Sequence, residues 1–308
     1  MVQFAQPIRV LWSLDIGLLI KKLYNQPIRL TTEKGWKVCF VSTVYSDFTE
    51  RRRTTMENQL DRRIEQALPV WEQKTQIDIV RLQTTLEQVS KSRFGGALGE
   101  APPGEDGEPL QLLCAIFCSE IKGVPNFPKK GVLRFYIGKE PLFGLDYNHP
   151  TKQKNWRVLY DPEEPDDMPK TAQTLQTQHP IKGCFCLKFS SEKESLAPPD
   201  YRFRPEFERF LQHFGRTEPI DWEEYDALMN RYSLRGNKLG GYAWNTQDDP
   251  RCREGLGKYD TLLLQIDSVY RGDCQISFGD AGVALFLIPS DKLKALDFSD
   301  VLFWWDCY

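Results

Sequence analysis

Asp267, Asp273, Asp280 and Asp306 form the best carboxylate set in this chain, three of them lying within fourteen residues at expected strand ends or turns. Oxygen-rich clusters of this kind hold Ca²⁺ or Mg²⁺ and supply general acids and bases. Asp267, Asp280 and Asp306 are therefore the candidates for a metal-assisted hydrolase. No EF-hand-like ladder accompanies them, and a carboxylate at a turn ordinarily caps its own backbone, as the segment Phe278-Gly-Asp-Ala-Gly282 would do. A second group is suited to recognition: Trp244, Asp249 and Arg251 lie in an expected exposed polar segment, and Gln265 is central to a strand. Exposed Trp and Arg are favoured at binding hot spots. The equal alternative is a loop anchored by a Trp that reaches back into the core.

Other chemistries find less support. Nucleophilic catalysis needs a Ser or Cys beside a His base, but only His149, His179 and His213 are available and no GxSxG elbow accompanies them. The paired glycines Gly95-Gly96 and Gly240-Gly241 could suggest a phosphate cradle, yet GxGxxG and the Walker spacing are both absent. Positive φ or a close backbone approach is the favoured reading. Eight cysteines make no CxxC pair, so no metal site and no cofactor is expected; Cys184-Phe-Cys186 places two sulfurs on one strand face as small buried residues.

The elements that must position these residues are mostly strands. Ile8–Trp12, Ile28–Thr32 and Trp36–Thr43 open the chain, the last two joined by a turn around Gly35. Met56, Leu60, Ile64 and Leu68 follow at helical spacing and stop before Pro69. Further strands are expected at Ile77–Leu82, Leu110–Phe117, Val132–Ile137, Trp156–Tyr160, Ile181–Phe189, Thr261–Ile266, Val283–Ile288 and Val301–Tyr308, with loops at 99–108, 161–167 and 190–200. Two short helices carry aromatic stripes, Phe207, Phe210, Leu211 and Phe214 on one and Trp222, Tyr225, Met229 and Tyr232 on the other, the second capped by Asp221 with Glu224. Both stripes are expected in the core, packed across the sheets.

Gly131, Val132, Phe135, Ile137, Leu142, Leu145 and Asp146 recur as Gly282, Val283, Phe286, Ile288, Leu293, Leu296 and Asp297, every pair 151 residues apart. Such an echo points to a duplicated structural unit. The expected fold is mainly β with some α (α+β), its duplicated β units forming one compact body. Residues 1–46 form an N-terminal β extension, 47–91 a helix and strand leading inward, 92–160 the first repeat, 161–237 an insertion and 238–308 the second repeat.

The net charge of −3 divides as +4 over residues 1–100 and −7 over the rest. The Arg51-Arg52-Arg53 run sits among interleaved acids, five basic and five acidic residues over 47–65, so it reads as a solvated helix face. With no sustained basic stripe, neither nucleic acid nor an anionic membrane is an expected partner. Arg9 and Asp15 interrupt the early apolar stretch, so no signal peptide is expected, and the default location is the thiol-reducing cytoplasm.

The motifs Lys238-Leu-Gly-Gly-Tyr242, Leu262-Leu-Leu-Gln-Ile-Asp-Ser268, Phe278-Gly-Asp-Ala-Gly282 and Asp297-Phe-Ser-Asp-Val-Leu302, with Ser92-Arg-Phe-Gly-Gly96, Leu142-Phe-Gly-Leu-Asp146 and Gln153-Lys-Asn-Trp-Arg157 earlier, occur in an ordered series. Over about residues 70–308 the chain resembles the YwqG-like family, a bacterial family of unknown function. The resemblance implies a mainly β, internally duplicated fold and no established activity. Ala115 stands where the family's first repeat carries Gln, whereas Gln265 keeps it in the second. The functional reading is a non-enzymatic binding module for another protein or a small ligand, with the hydrolase as alternative and the second repeat as the place for a site.

Overall fold

The computed structural model describes residues 27–32, 35–40, 62–165, 179–271 and 274–308. The chain divides into two compact units, Met1–Glu65 and Gln66–Tyr308. In the first, β1 (Pro27–Thr32) and β2 (Gly35–Phe40) form an antiparallel hairpin with Thr32 opposite Gly35. The expected strand at Ile8–Trp12, the Arg51-Arg52-Arg53 run and Asp273 lie outside the described residues.

Helix α1 (Arg62–Thr75) runs through Pro69, seven residues beyond the expected stop at Leu68. Proline deletes one backbone donor, but Leu68 and Trp71 on either side of it are buried, and tertiary packing outweighs the local penalty. There follow β3 (Ile77–Thr85), β4 (Arg93–Gly95), β5 (Gln111–Phe117), β6 (Val132–Ile137), β7 (Arg157–Asp161) and β8 (Cys184–Glu194). Two helices, α2 (Phe203–Gln212) and α3 (Trp222–Arg231), separate these from β9 (Lys238–Gly240), β10 (Thr261–Asp267), the hairpin β11 (Val269–Arg271) and β12 (Cys274–Ile276), β13 (Val283–Ile288), α4 (Ser290–Lys294) and β14 (Leu302–Asp306).

The protein is mainly β. A ten-stranded sheet runs in the order β14-β13-β10-β9-β3-β8-β4-β5-β6-β7, all its neighbours antiparallel. It curls on itself: Phe135 on β6 meets Phe286 on β13 with ring centroids 4.9 Å apart, and Trp156 packs on Phe286 and Phe303. Two strands near opposite ends thus share one aromatic core. β5 and β10 each carry a register irregularity at the same place, between Leu112 and Cys114 and between Leu262 and Leu264.

β8 extends to Glu194, through part of the segment expected as a loop. Its polar half pairs along β3 from Ile77 opposite Glu194 to Arg81 opposite Ser190. Ser190–Lys193 are polar because that end of the strand faces solvent. The helices pack differently from expectation too. Trp71 of α1 meets Phe203 and Phe207 edge-on at 5.9 and 5.2 Å, so α1 and α2 share a small aromatic cluster. The capping box of Asp221 and Glu224 starts α3 as the sequence predicts. Its buried residue is Leu228, while Trp222 is 73% exposed and stacks on Tyr225, because a short helix at the surface turns only one line of side chains inward.

Candidate functional site

Residues 234–253 pass from α3 into β9 and then across the sheet toward β14. Gly240 and Gly241 have φ of +71° and +87°. A Cβ at Gly240 would stand 2.6 Å from Val124 Cγ1, and one at Gly241 would stand 2.5 Å from Glu194 Oε2. Gly95 repeats the arrangement, with φ of +71° and a would-be Cβ 2.3 Å from the Gly183 carbonyl oxygen. Both pairs therefore take positive φ, with another backbone close against Gly95 and side chains close against Gly240 and Gly241. Beside the second, Lys238 is fully buried and donates to both oxygens of Glu194 at 2.7 Å, while Glu194 Oε2 also accepts the Tyr242 N–H at 2.9 Å. Burial pulls the Lys238 ammonium down to about 8 against the attraction of Glu194.

Asp249 and Arg251, expected in an exposed segment, are buried at 5% and 3% exposure. Asp249 caps the short turn Pro250–Cys252 by accepting the Arg251 N–H, and it also accepts the Tyr201 N–H at 3.0 Å. The Arg251 guanidinium pairs with Asp249 at 2.7 Å and Asp200 at 2.8 Å and lies over the Tyr201 ring at 4.2 Å. Asp200 takes Arg202 on its other side. Burial would raise the Asp200 pKa, but Arg251 and Arg202 outweigh it and hold the carboxyl well below the usual range. This clasp ties the 249–251 turn to the start of α2, and paired charges are what make its burial tolerable.

Gln265 is fully buried and acts as a backbone bridge: Oε1 accepts the Trp244 N–H at 2.9 Å, while Nε2 donates to the Leu234 and Gly236 carbonyls at 2.9 and 2.8 Å. Asp267 accepts the Gly236 N–H at 2.7 Å, and its pKa is raised by burial in spite of that bond and of nearby Arg235. Asp306 Oδ1 accepts from Thr246 N at 3.0 Å and Thr246 Oγ1 at 2.5 Å. Asp280 is exposed in the turn before β13, where its carbonyl accepts the Tyr308 N–H. Asp267 and Asp306 both register opposite Val283, on its two sides. Two strand spacings separate their backbones by roughly 10 Å, and each carboxylate is spent on different donors, Asp267 on the Gly236 N–H and Asp306 on Thr246. Among the described residues no three His, Cys, Asp or Glu side chains gather as a metal site.

The histidines are committed elsewhere. Among the described residues, His149 meets Asp146 at 2.9 Å, His213 meets the Arg209 carbonyl, and His179 bridges the Ile181 N–H and the Leu112 carbonyl. None of these bonds reaches a Ser or a Cys.

The unusual feature lies where residues 244–247 are laid against the end of β14. Asn245 is 2% exposed, and neither its carboxamide oxygen nor its nitrogen has a hydrogen-bond partner among the described residues. The same holds for the indole Nε1 of Trp244, the indole Nε1 of Trp304 and Asp306 Oδ2. Thr246 fixes this stretch to Asp306, Gln247 Nε2 donates to the Cys307 carbonyl at 2.7 Å, and Trp304 shares a β14 face with Asp306. Two arginines roof the indoles: Arg235 lies 4.4 Å from the Trp244 ring, and Arg253 lies 4.3 Å from the Trp304 ring. Tyr308 accompanies the first, its Oη 2.7 Å from Arg235 Nη2, and Tyr147 meets Trp304 edge-on at 4.9 Å. Sequence reasoning found Trp244 and Asp306 but missed Asn245, Trp304, Arg235 and Arg253. Asn245 belongs to no motif, and Trp304 is hidden in a C-terminal aromatic run that reads simply as core.

The first half lacks this surface. Ser92 Oγ accepts the Phe117 N–H at 2.8 Å, much as Asn237 Oδ1 accepts the Asp267 N–H at 2.8 Å. Ala115, opposite Arg93 as Gln265 is opposite Lys238, supplies no amide to hold a covering loop.

Residues 92–307 match the model of a family described as a domain of unknown function, DUF1963, and the chain belongs to that family. No curated protein matches the chain.

Proposed function

We propose that the chain is a non-enzymatic binding module whose recognition site is the buried Trp244, Asn245, Trp304 and Asp306 cluster against β14, reached by displacing the Arg235 and Arg253 side chains that cover it. The observation that carries this reading is the Asn245 carboxamide, buried with both of its polar atoms unpartnered among the described residues. A buried polar group without a partner costs about 1–3 kcal/mol, and such groups collect where a ligand supplies the missing bonds. Two indole donors, an amide that both donates and accepts, and a carboxylate oxygen make a mixed array. That array suits a polar, uncharged ligand or the backbone of a partner's exposed segment. The dispersed positions of Asp267, Asp280 and Asp306 speak against hydrolysis.

A thermal-shift screen of polar uncharged compounds on wild type and Asn245→Leu tests the proposal. Compounds that raise the wild-type Tm and leave the variant unmoved are expected; equal shifts in both would place binding elsewhere.

We also propose that the sheet arose by duplication, with β4, β5, β6 and β7 as counterparts of β9, β10, β13 and β14. The strand order reads the same from either end under that exchange if β3 and β8 exchange as well. Phe135 and Phe286, 151 residues apart, then touch as a residue meets its own copy near the axis. The ordered motifs support the resemblance to the YwqG-like family. No helix among the described residues is long and apolar enough to cross a membrane, and free Cys114 and Cys118 in the core accord with a cytoplasmic setting.

A further inference from the structure

Counting on from the paired glycines, Gly99 in the first half takes the place that Trp244 takes in the second. Where the second half is covered by an indole, the first half has a cavity of about 180 Å³. Its floor is apolar, built from Leu98, Leu110, Leu112 and Ile181, all under 8% exposed. It opens to solvent past exposed Ala97, Gly99 and Pro109. Apolar cavities of about 150 Å³ take up a benzene-sized molecule.

The polar side chains in the wall are neutralised from within. Tyr136 Oη accepts from Arg134 Nη1 at 3.1 Å and donates to the Leu98 carbonyl at 3.4 Å. His179 uses both ring nitrogens on the backbone, accepting from Ile181 N and donating to the Leu112 carbonyl, and burial pushes its pKa down, so the ring is neutral. Lys139 at the rim stands 3.6 Å from Glu108. Gln111 is 7% exposed and donates through Nε2 to the Gly138 carbonyl at 3.1 Å, which leaves Oε1 without a protein partner among the described residues. An apolar space with self-satisfied walls and one spare acceptor rejects an ion and rewards a single donor.

We propose that this cavity is a second binding site, for a small uncharged aromatic molecule of phenol size whose hydroxyl donates to Gln111 Oε1. It is independent of the β14 surface. Calorimetric titration of the full chain with phenol, benzene and benzoate tests it. Phenol should bind roughly fivefold more tightly than benzene, the ratio expected of one net hydrogen bond, and benzoate should not bind. Gln111→Met should bring phenol and benzene to equal affinity, and Ala101→Leu, which fills the cavity, should abolish both. Asn245→Leu should leave phenol binding unchanged. Should Ala101→Leu fail to unfold cooperatively, the phenol-to-benzene ratio in Gln111→Met decides. Benzoate binding as tightly as phenol, an unaltered ratio in Gln111→Met, or no phenol binding at millimolar concentration would overturn the proposal.

Discussion

His179 and Arg251 show how a buried polar residue acts through its partners. The His179 ring is held neutral, so burial sets its folded pKa below the ordinary 6.5. The unfolded chain therefore takes up a proton that the folded chain refuses, and His179 contributes stability above about pH 6.5 that is lost as pH falls below it. Urea unfolding of wild type and His179→Asn from pH 7.5 to 5 should show the wild type losing stability more steeply; parallel curves would contradict the assignment. Arg251→Met leaves Asp200 and Asp249 buried without their shared cation, and the expected loss is about 3–5 kcal/mol. A loss under about 1 kcal/mol in equilibrium unfolding would show the clasp to be dispensable. The types of Asp249 and Arg251 were legible as important in the sequence, but their burial was not. It depends on Asp200, some fifty residues away, and nothing in the sequence pairs the two segments.

Local pattern governs the elements themselves. β5, β6, β10 and β13 were legible because each is rich in apolar residues and almost wholly buried on both faces. The polar half of β8 was not, since its pairing is imposed by the length of β3 and its side chains resemble a loop. The paired glycines were legible as backbone devices, and their geometry gives a graded test. Gly95→Ala would strain a positive φ and drive Cβ to 2.3 Å from the Gly183 carbonyl oxygen, whereas Gly107, with φ of +83°, has nothing within 4 Å of its would-be Cβ. Gly107→Ala should cost about 1–2 kcal/mol, the left-handed penalty alone, and Gly95→Ala clearly more. Equal losses in thermal unfolding would mean that the close approach at Gly95 relaxes freely.

The whole molecule ties these pieces together across sequence boundaries. The family match begins at Ser92, yet β3 lies in the middle of the sheet, between β9 and β8. A chain of residues 92–308 should therefore lack a cooperative unfolding transition, while residues 66–308 should keep one; cooperative unfolding of the shorter piece would show that β9 and β8 close without β3. The same sheet presents the polar face at β14, and its cost is borne by global stability. A site made of unpartnered buried groups is maintained against folding, which is the expected signature of binding. Equilibrium urea unfolding of full-length Asn245→Leu tests this most directly. Removing the unsatisfied carboxamide in favour of an apolar side chain of similar size should raise the unfolding free energy by about 1–3 kcal/mol. A loss of 1 kcal/mol or more would show that Asn245 serves the fold and would contradict the account of β14 as a binding surface.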